Sequence, residues 1–257
     1  MHQLDDPASP TAVGDDRLRQ LYAYPEGLER PWMRVNFVSS LDGAVAVEGR
    51  SGALGTPSDK KVFGLLRELA DVILVGAGTV RTENYGGART SETLRARREA
   101  DGLDAVPPIA VVTTSCYFPS DLRLFTDTTV PPIVFTSASA PVANRRRAED
   151  AGADVRVIAD DTIDGAALLA AVTKAGWTRV LCEGGPQLFG SMIEADIVDD
   201  LCLTFAPVLA AGAAGRIAST PTPVVTPMRR THLVADDDGT LLTRWIRDDR
   251  EGASRGR

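Results

Sequence analysis

Two short apolar runs in this sequence lead straight into glycine-rich turns, and those turns are the natural place to look for chemistry. Val72-Ile73-Leu74-Val75 enters Gly76-Ala77-Gly78-Thr79-Val80, and Arg179–Cys182 enters Glu183-Gly184-Gly185-Pro186-Gln187-Leu188. Ligands of open α/β sheets bind beyond the carboxyl ends of the strands. Glycine there lets a phosphate approach backbone N–H groups, and a following helix adds partial positive charge at its N-terminus. Gly76-Ala77-Gly78 is not a complete dinucleotide fingerprint, because Arg81 stands where the third glycine belongs. No Gly-Lys-Ser/Thr of a phosphate-binding P-loop occurs either. Each turn alone also reads as a plain strand-to-helix connection. Two of them in one α/β chain shift the reading toward a dinucleotide.

The titratable candidates are few. The only histidines are His2 and His232, which leaves little room for His-based zinc sites or Ser-His-Asp triads. Any chemistry then falls to a carboxylate, a cofactor or the backbone. Glu183 sits between a buried strand and a helix, where a carboxylate needs donors; sugar hydroxyls supply them, and helix capping is the alternative. Asp42, in Ser39-Ser40-Leu41-Asp42-Gly43, reads as an acid or as a simple turn former. Arg67 reads as a ligand-facing cation or as an exposed helix residue paired with Asp71 at i+4. The three cysteines, Cys116, Cys182 and Cys202, form no CxxC pair and read as buried free thiols. A net charge of -7 on 257 residues gives no general attraction to nucleic acid or anionic membrane. No signal peptide and no run of roughly 20 apolar residues is present, so a soluble cytoplasmic protein is expected.

The elements that must position these groups alternate between strand and helix. Residues 1–30 are acidic and turn-rich and read as a flexible arm with one short helix near Asp16–Tyr24. Met33–Ser39 reads as a strand, and Ala44–Val47 as a second, short one. Thr56-Pro57-Ser58-Asp59 is a helix start with cap, proline and capping box, followed by Val62, Leu65, Leu66 and Leu69 at helical spacing. Residues 86–105 read as a long loop or exposed helix. Strands follow at Ile109–Thr113, Ile133–Thr136, Val155–Ala159, Arg179–Cys182 and Leu201–Phe205. Helices are expected at Pro141–Ala151, from Asp164 to Gly176, and to about Glu194. His232–Val234 and Leu241–Ile246 read as a closing hairpin. The expectation is one α/β domain over residues 31–248, mostly parallel and covered on both faces, with a charged tail at 249–257.

Taken together the blocks are more specific. Ser39-Ser40-Leu41-Asp42-Gly43, Arg67 through Val80, Glu183 through Leu188, Val198-Asp199-Asp200 and Phe205-Ala206-Pro207-Val208-Leu209 resemble the pyrimidine reductase family of riboflavin biosynthesis, in order and rough spacing, over about residues 32–215. The resemblance implies a dihydrofolate-reductase-like, three-layer α/β/α fold, a homodimer, and NADPH. It also implies reduction of a ribosylamino-pyrimidine 5′-phosphate to its ribitylamino form. It places Ser40 to Gly43 beside the nicotinamide and the dimer contact. Ser51, Arg67 and Glu183 would face substrate. Gly55, Thr56 and Asp59 would touch cofactor, as would Gly76, Ala77, Gly78, Thr79 and Val80, and Gly184, Gly185, Pro186, Gln187 and Leu188.

The chain departs from that family where Thr82-Glu83-Asn84-Tyr85 replaces the usual acidic pair and proline, and where Gly52-Ala53-Leu54 stands in place of a frequent Trp or Arg. Glu83 takes the place of the candidate acid, with Asp42 as a second catalytic candidate. Arg67, with Arg81 or Arg89, is expected to pair with the 5′-phosphate. No zinc-deaminase signature occurs in the chain. Two competing expectations are a dihydrofolate-type reductase acting on a pterin and a nucleotide-binding paralogue without turnover.

Overall fold

The computed structural model describes residues 1–4, 11–119 and 121–248. Its strands are β1 (His2–Gln3), β2 (Thr11–Ala12), β3 (Trp32–Ser39), β4 (Val72–Gly76), β5 (Ile109–Val112), β6 (Ile133–Ser137), β7 (Asp154–Ala159), β8 (Arg179–Cys182), β9 (Asp200–Phe205), β10 (Met228–Ala235) and β11 (Leu241–Arg247). The helices are α1 (Asp15–Tyr22), α2 (Pro57–Leu69), α3 (Ala77–Glu83), α4 (Glu92–Ala100), α5 (Arg123–Thr126), α6 (Val142–Asp150), α7 (Gly165–Lys174) and α8 (Pro186–Glu194). All the strands join one sheet in the order β2-β1-β10-β11-β9-β3-β8-β4-β5-β6-β7. From β9 to β7 the pairings are parallel, and from β9 outward through β11, β10 and β1 they are antiparallel. The mostly parallel sheet and the antiparallel closing hairpin are those expected.

The central strands are continuous apolar runs because both faces are covered. On β4, Ile73 and Val75 join a core layer with Val62, Leu66 and Leu69 of α2, and with Leu18 and Tyr22 of α1. Val72 and Leu74 point the other way, into a layer with Leu168 and Val172 of α7 and Phe189 and Met192 of α8. This alternation makes three layers. Each fully buried aliphatic side chain contributes about 2 kcal/mol relative to exposure.

Helix α2 starts as its sequence dictates: the Thr56 side chain accepts the Asp59 N–H at 3.2 Å, and Pro57 occupies the first turn. The reciprocal half of the capping box is missing, because the buried Asp59 carboxyl turns to Thr204 instead. Helix α4 fills part of the expected loop 86–105, begun by Ser91 as cap. It carries the fully buried Arg98, whose Nη1 donates to the carbonyls of Arg67, Glu68 and Ala70 at 3.0, 2.7 and 2.8 Å. Those are orphan acceptors at the end of α2, so α4 staples the turn carrying Arg67.

Two expectations need correction. Residues 1–4 and 11–30 do not trail as an arm: β1 pairs with β10, and α1 docks through Leu18 and Tyr22, four residues apart on one face. Ala44–Val47 is not a strand; a Val47–Arg50 bridge closes a tight turn through Glu48 and Gly49, both at positive φ. The charged tail at 249–257 lies outside the described residues. All three cysteines are buried, and among the described residues no helix is long and apolar enough to cross a membrane.

Candidate active site

The two glycine turns meet at the carboxyl ends of neighbouring strands, since β8 lies beside β4. Gly76 N–H donates to Gly184 O at 2.7 Å, tying one turn to the other. Gly184 has φ +87°, and a Cβ there would sit 2.9 Å from the Phe37 ring. A Cβ on Gly185 would come within 2.6 Å of Thr79 Oγ1. Glycine is therefore required at both positions, by conformation in one and by close approach in both. Neither Gly76 nor Gly185, the residues that begin α3 and α8, offers a capping side chain, and Pro186 occupies the first turn of α8. The N–H groups at the start of α8 are thus left for a ligand.

The turns border a cleft of about 990 Å³. Gly76, Ala77, Gly78, Thr79, Gly185, Pro186, Gln187 and Leu188 form one wall, with Gly55 and Asp59 from the start of α2 opposite. Burial raises the Asp59 carboxyl above its ordinary value, and Thr204 and Lys60 partly counter this. A second cavity, about 760 Å³, adjoins it between α1, α2, α4 and the loop after α3. Ser51, Lys60, Phe63, Glu83 and Tyr85 line both.

At that shared wall two carboxylates are held differently. Glu83, the last residue of α3, accepts the Ser51 N–H at 2.7 Å and the Ser51 hydroxyl at 2.9 Å, both on Oε1. Its Oε2 receives no hydrogen bond among the described residues. Glu183 is grasped bidentately by Arg67, Nε to Oε1 at 2.6 Å and Nη2 to Oε2 at 2.7 Å, and Tyr85 donates to Oε2 at 2.8 Å. Burial works against the Arg67 charge, but the Glu183 carboxylate more than restores it, so the guanidinium stays protonated. Burial and then Glu183 push the Tyr85 phenol well above its ordinary value, so it remains a donor.

Arg67 therefore pairs with Glu183 and not with Asp71, which instead accepts the N–H groups of Thr178 and Arg179, each at 2.7 Å. That pairing occupies the Nε and Nη2 edge of the guanidinium, and Nη1 stays on the side of the second cavity that Arg67 lines. Asp42 is brought to neither cavity. It accepts from the Ser40 hydroxyl and from the N–H groups of Ala210 and Ala211 at 3.1 and 2.7 Å, fixing the turn to the loop after β9. The Ser40 hydroxyl and then those two N–H groups hold its pKa at about 2. In this structure the carboxylate lines neither cavity, and its three hydrogen bonds join the turn to the loop after β9. Ser40, Thr56, Val80 and Gly184 also lie behind the walls: Ser40 holds the turn, Thr56 caps α2, Val80 is core, and Gly184 packs on Phe37. Sequence reasoning missed Lys60, Phe63 and Tyr85 as lining residues. Only Tyr85 carried a signal, as a departure from the family pattern.

Comparison with known proteins gives the family and the fold. Residues 31–242 match the RibD C-terminal domain family. A relative from Archaeoglobus fulgidus, named 2,5-diamino-6-ribosylamino-4(3H)-pyrimidinone 5′-phosphate reductase, is 30% identical over 184 residues, spanning 71% of this chain and 83% of that one. The riboflavin biosynthesis protein RibD of Bacillus amyloliquefaciens is 30% identical over 185 residues, 71% of this chain but 47% of that longer protein. Among solved structures, a pyrimidine reductase-like protein from Corynebacterium diphtheriae superposes with a TM-score of 0.77 at 24% identity, over 90% of this chain and 98% of that one. A riboflavin biosynthesis reductase from Saccharomyces superposes at 0.64 with 18% identity, again over 90% and 98%. At those identities the structures speak for the fold, while the sequence match over most of the chain assigns the protein to the RibD C-terminal domain family.

Proposed function

We propose that this chain is an NADPH-dependent reductase that converts the ribosylamino group of a pyrimidine 5′-phosphate to a ribitylamino group. The observation that carries the reading is the meeting of two cavities at Glu83. One has the size and backbone character for a dinucleotide; the other is lined by more cations than carboxylates.

The cleft fits the cofactor on three grounds. Its volume is in the range of small-molecule and cofactor sites, which run to about 1,000 Å³. The abutting glycines leave no side chain between a diphosphate and the α8 N-terminus. Arg81 and Lys60 line it as cations, and Arg81, beside Thr114 and Ser115, suits the additional phosphate that separates NADPH from NADH. When bound, the dihydronicotinamide supplies a hydride.

The chain's own residues handle the rest. Ser51 holds Glu83 Oε1, leaving Oε2 open to move a proton to and from the substrate sugar. Glu183, neutralised by Arg67, accepts from a hydroxyl. The 5′-phosphate is taken by the cations of the second cavity, where Lys60, Lys61, Arg89, Arg97 and Arg123 are all lining residues. Lys60 forms no salt bridge among the described residues. Leu41 and Leu209, 56% and 78% exposed on either side of the Asp42 clamp, support a homodimer, read by light scattering. The reading also has one reductase domain, with β1, β2 and α1 built into its sheet and core, working in the cytoplasm. The deciding experiment follows NADPH absorbance with the deaminated ribosylamino-pyrimidine phosphate, then with NADH and with dihydrofolate. No oxidation with the pyrimidine would overturn the proposal.

A further inference from the structure

We propose that Tyr85 is a positioning residue that fixes Glu183 to read a neutral sugar hydroxyl, and so sets which end of the substrate enters the wall between the cavities. The inference rests on the reductase reading of the same site.

The backbone delivers the phenol. Helix α3 ends at Glu83, and Asn84 adopts the left-handed conformation at φ +49°. Tyr85 N–H then bonds back to Val80 O at 3.0 Å. The turn sends the side chain inward, where it lines both cavities. Arg67 lines only the second cavity and Glu183 only the first, so Tyr85 and the ion pair together form the partition.

Lone-pair accounting gives the consequence. An ionised carboxylate offers about four acceptor sites. On Glu183, Arg67 takes one on each oxygen and Tyr85 takes the second on Oε2. The remaining site is on Oε1, so one further donor is accepted, in a direction set by the other three bonds. The Arg67 guanidinium lies 4.3 Å from the centre of the Phe63 ring and 5.6 Å from that of Tyr85, which keeps the fork from swinging away. A phosphate dianion brought to the open Oε1 site would set one acceptor against another. A hydroxyl donates to it. The phosphate end must therefore point away, toward the cations near α4.

The test is calorimetric titration of ribose 5-phosphate and, separately, inorganic phosphate into the full chain, comparing the wild type with Tyr85→Phe, Glu183→Gln and the double variant. Tyr85→Phe removes one oxygen and keeps the ring against Arg67. It is expected to weaken ribose 5-phosphate about tenfold, the worth of one hydrogen bond to a charged group, and to leave inorganic phosphate unchanged. In the Glu183→Gln background the same change should add almost nothing. A role in packing alone would lower both ligands together and add in full. Ribose 5-phosphate binding to Tyr85→Phe at wild-type strength overturns the inference. So does full additivity, or a wild type that binds no ribose 5-phosphate. If Tyr85→Phe does not fold, Glu183→Gln carries the test, and unaltered ribose 5-phosphate affinity there is equally fatal. Turnover of the pyrimidine phosphate by the wild type is scored apart. Its absence removes the reductase reading, while the binding arms still decide Tyr85.

Discussion

Replacing Glu83 by Gln changes the proposed proton carrier with minimal disturbance of its setting. The amide oxygen can stay where Oε1 is, accepting the Ser51 N–H and hydroxyl at 2.7 and 2.9 Å. Those two bonds weaken, because an ionised acceptor makes hydrogen bonds roughly twice as strong as a neutral one, so a loss of about 1 kcal/mol in stability is expected. The site that faces the ligand suffers more. Oε2 becomes an NH₂ that can neither carry nor accept a proton. General acid–base catalysis contributes about 10²–10⁴-fold, so turnover should fall at least about 100-fold, or roughly 2.7 kcal/mol in the barrier. NADPH affinity should hold, since the glycine turns are untouched. The assay is stopped-flow NADPH absorbance at saturating substrate, paired with fluorescence titration of NADPH. A single-turnover rate within about threefold of wild type, or under 1 kcal/mol in the barrier, would refute the role. An equal loss in NADPH affinity would instead make Glu83 a structural post.

Gly185→Ala should fold but bind NADPH at least about tenfold more weakly, because the new Cβ lies 2.6 Å from Thr79 Oγ1 and overpacking costs about 1–3 kcal/mol. Adding Thr79→Ala should recover much of that in the same titration; no recovery would put the fault elsewhere. Arg98→Met should lower unfolding free energy by about 3 kcal/mol in urea, since three buried carbonyls lose their donor. A loss below about 1 kcal/mol would mean that water replaces the guanidinium. Burial raises the pKa of Asp200, but Arg244 and Arg34 outweigh that and bring it to about 2. A depressed carboxylate pKa contributes stability that is complete above the unfolded value of about 3.9 and is lost as pH falls toward the folded one. Acid unfolding curves of the wild type should therefore steepen between about pH 4 and pH 2. Asp200→Asn should flatten that slope and cost about 3–5 kcal/mol near neutrality, by leaving buried arginines unpaired. Parallel curves for the two proteins would contradict the assignment.

What was legible in the sequence was whatever a local pattern determines. The start of α2 needed only Thr56 and Pro57, and the central strands announced themselves by burial on both faces. The two glycine turns were visible because close backbone approach forbids side chains. The need of Glu183 for donors was visible as a carboxylate in an apolar setting, but its partner Arg67 was not. Arg67 has Asp71 four residues on in sequence, but α2 ends at Leu69, and the placement of β8 beside β4 brings Glu183 to Arg67 instead. Arg98 was hidden in the same way: its sequence neighbours are charged, so the helix reads as solvated, while the side chain serves carbonyls some 30 residues earlier. The N-terminal segment misled by composition, since two buried residues, Leu18 and Tyr22, outweigh many polar ones. Asp42 read both ways because an acid beside a glycine serves a turn as readily as a reaction, and its bonds to the N–H groups of Ala210 and Ala211 depend on a loop far along the chain.

The position of β8 has one more consequence. That strand enters the sheet between β3 and β4, although β4 and β5 precede it in the chain by a long interval. Arg67 and Glu183 are 116 residues apart in sequence. Parallel pairings of this reach require the closure entropy of a long loop before any contact rewards it. The first half of the chain can form α2 and its cap early, yet it lacks Glu183, which follows β8 and completes the partition between the two cavities. During refolding, recovery of NADPH binding should lag behind recovery of helical signal, and it should coincide with the last gain in burial of the central strands. For this protein, the ability to hold its cofactor is a clock for the arrival of residues 179–185.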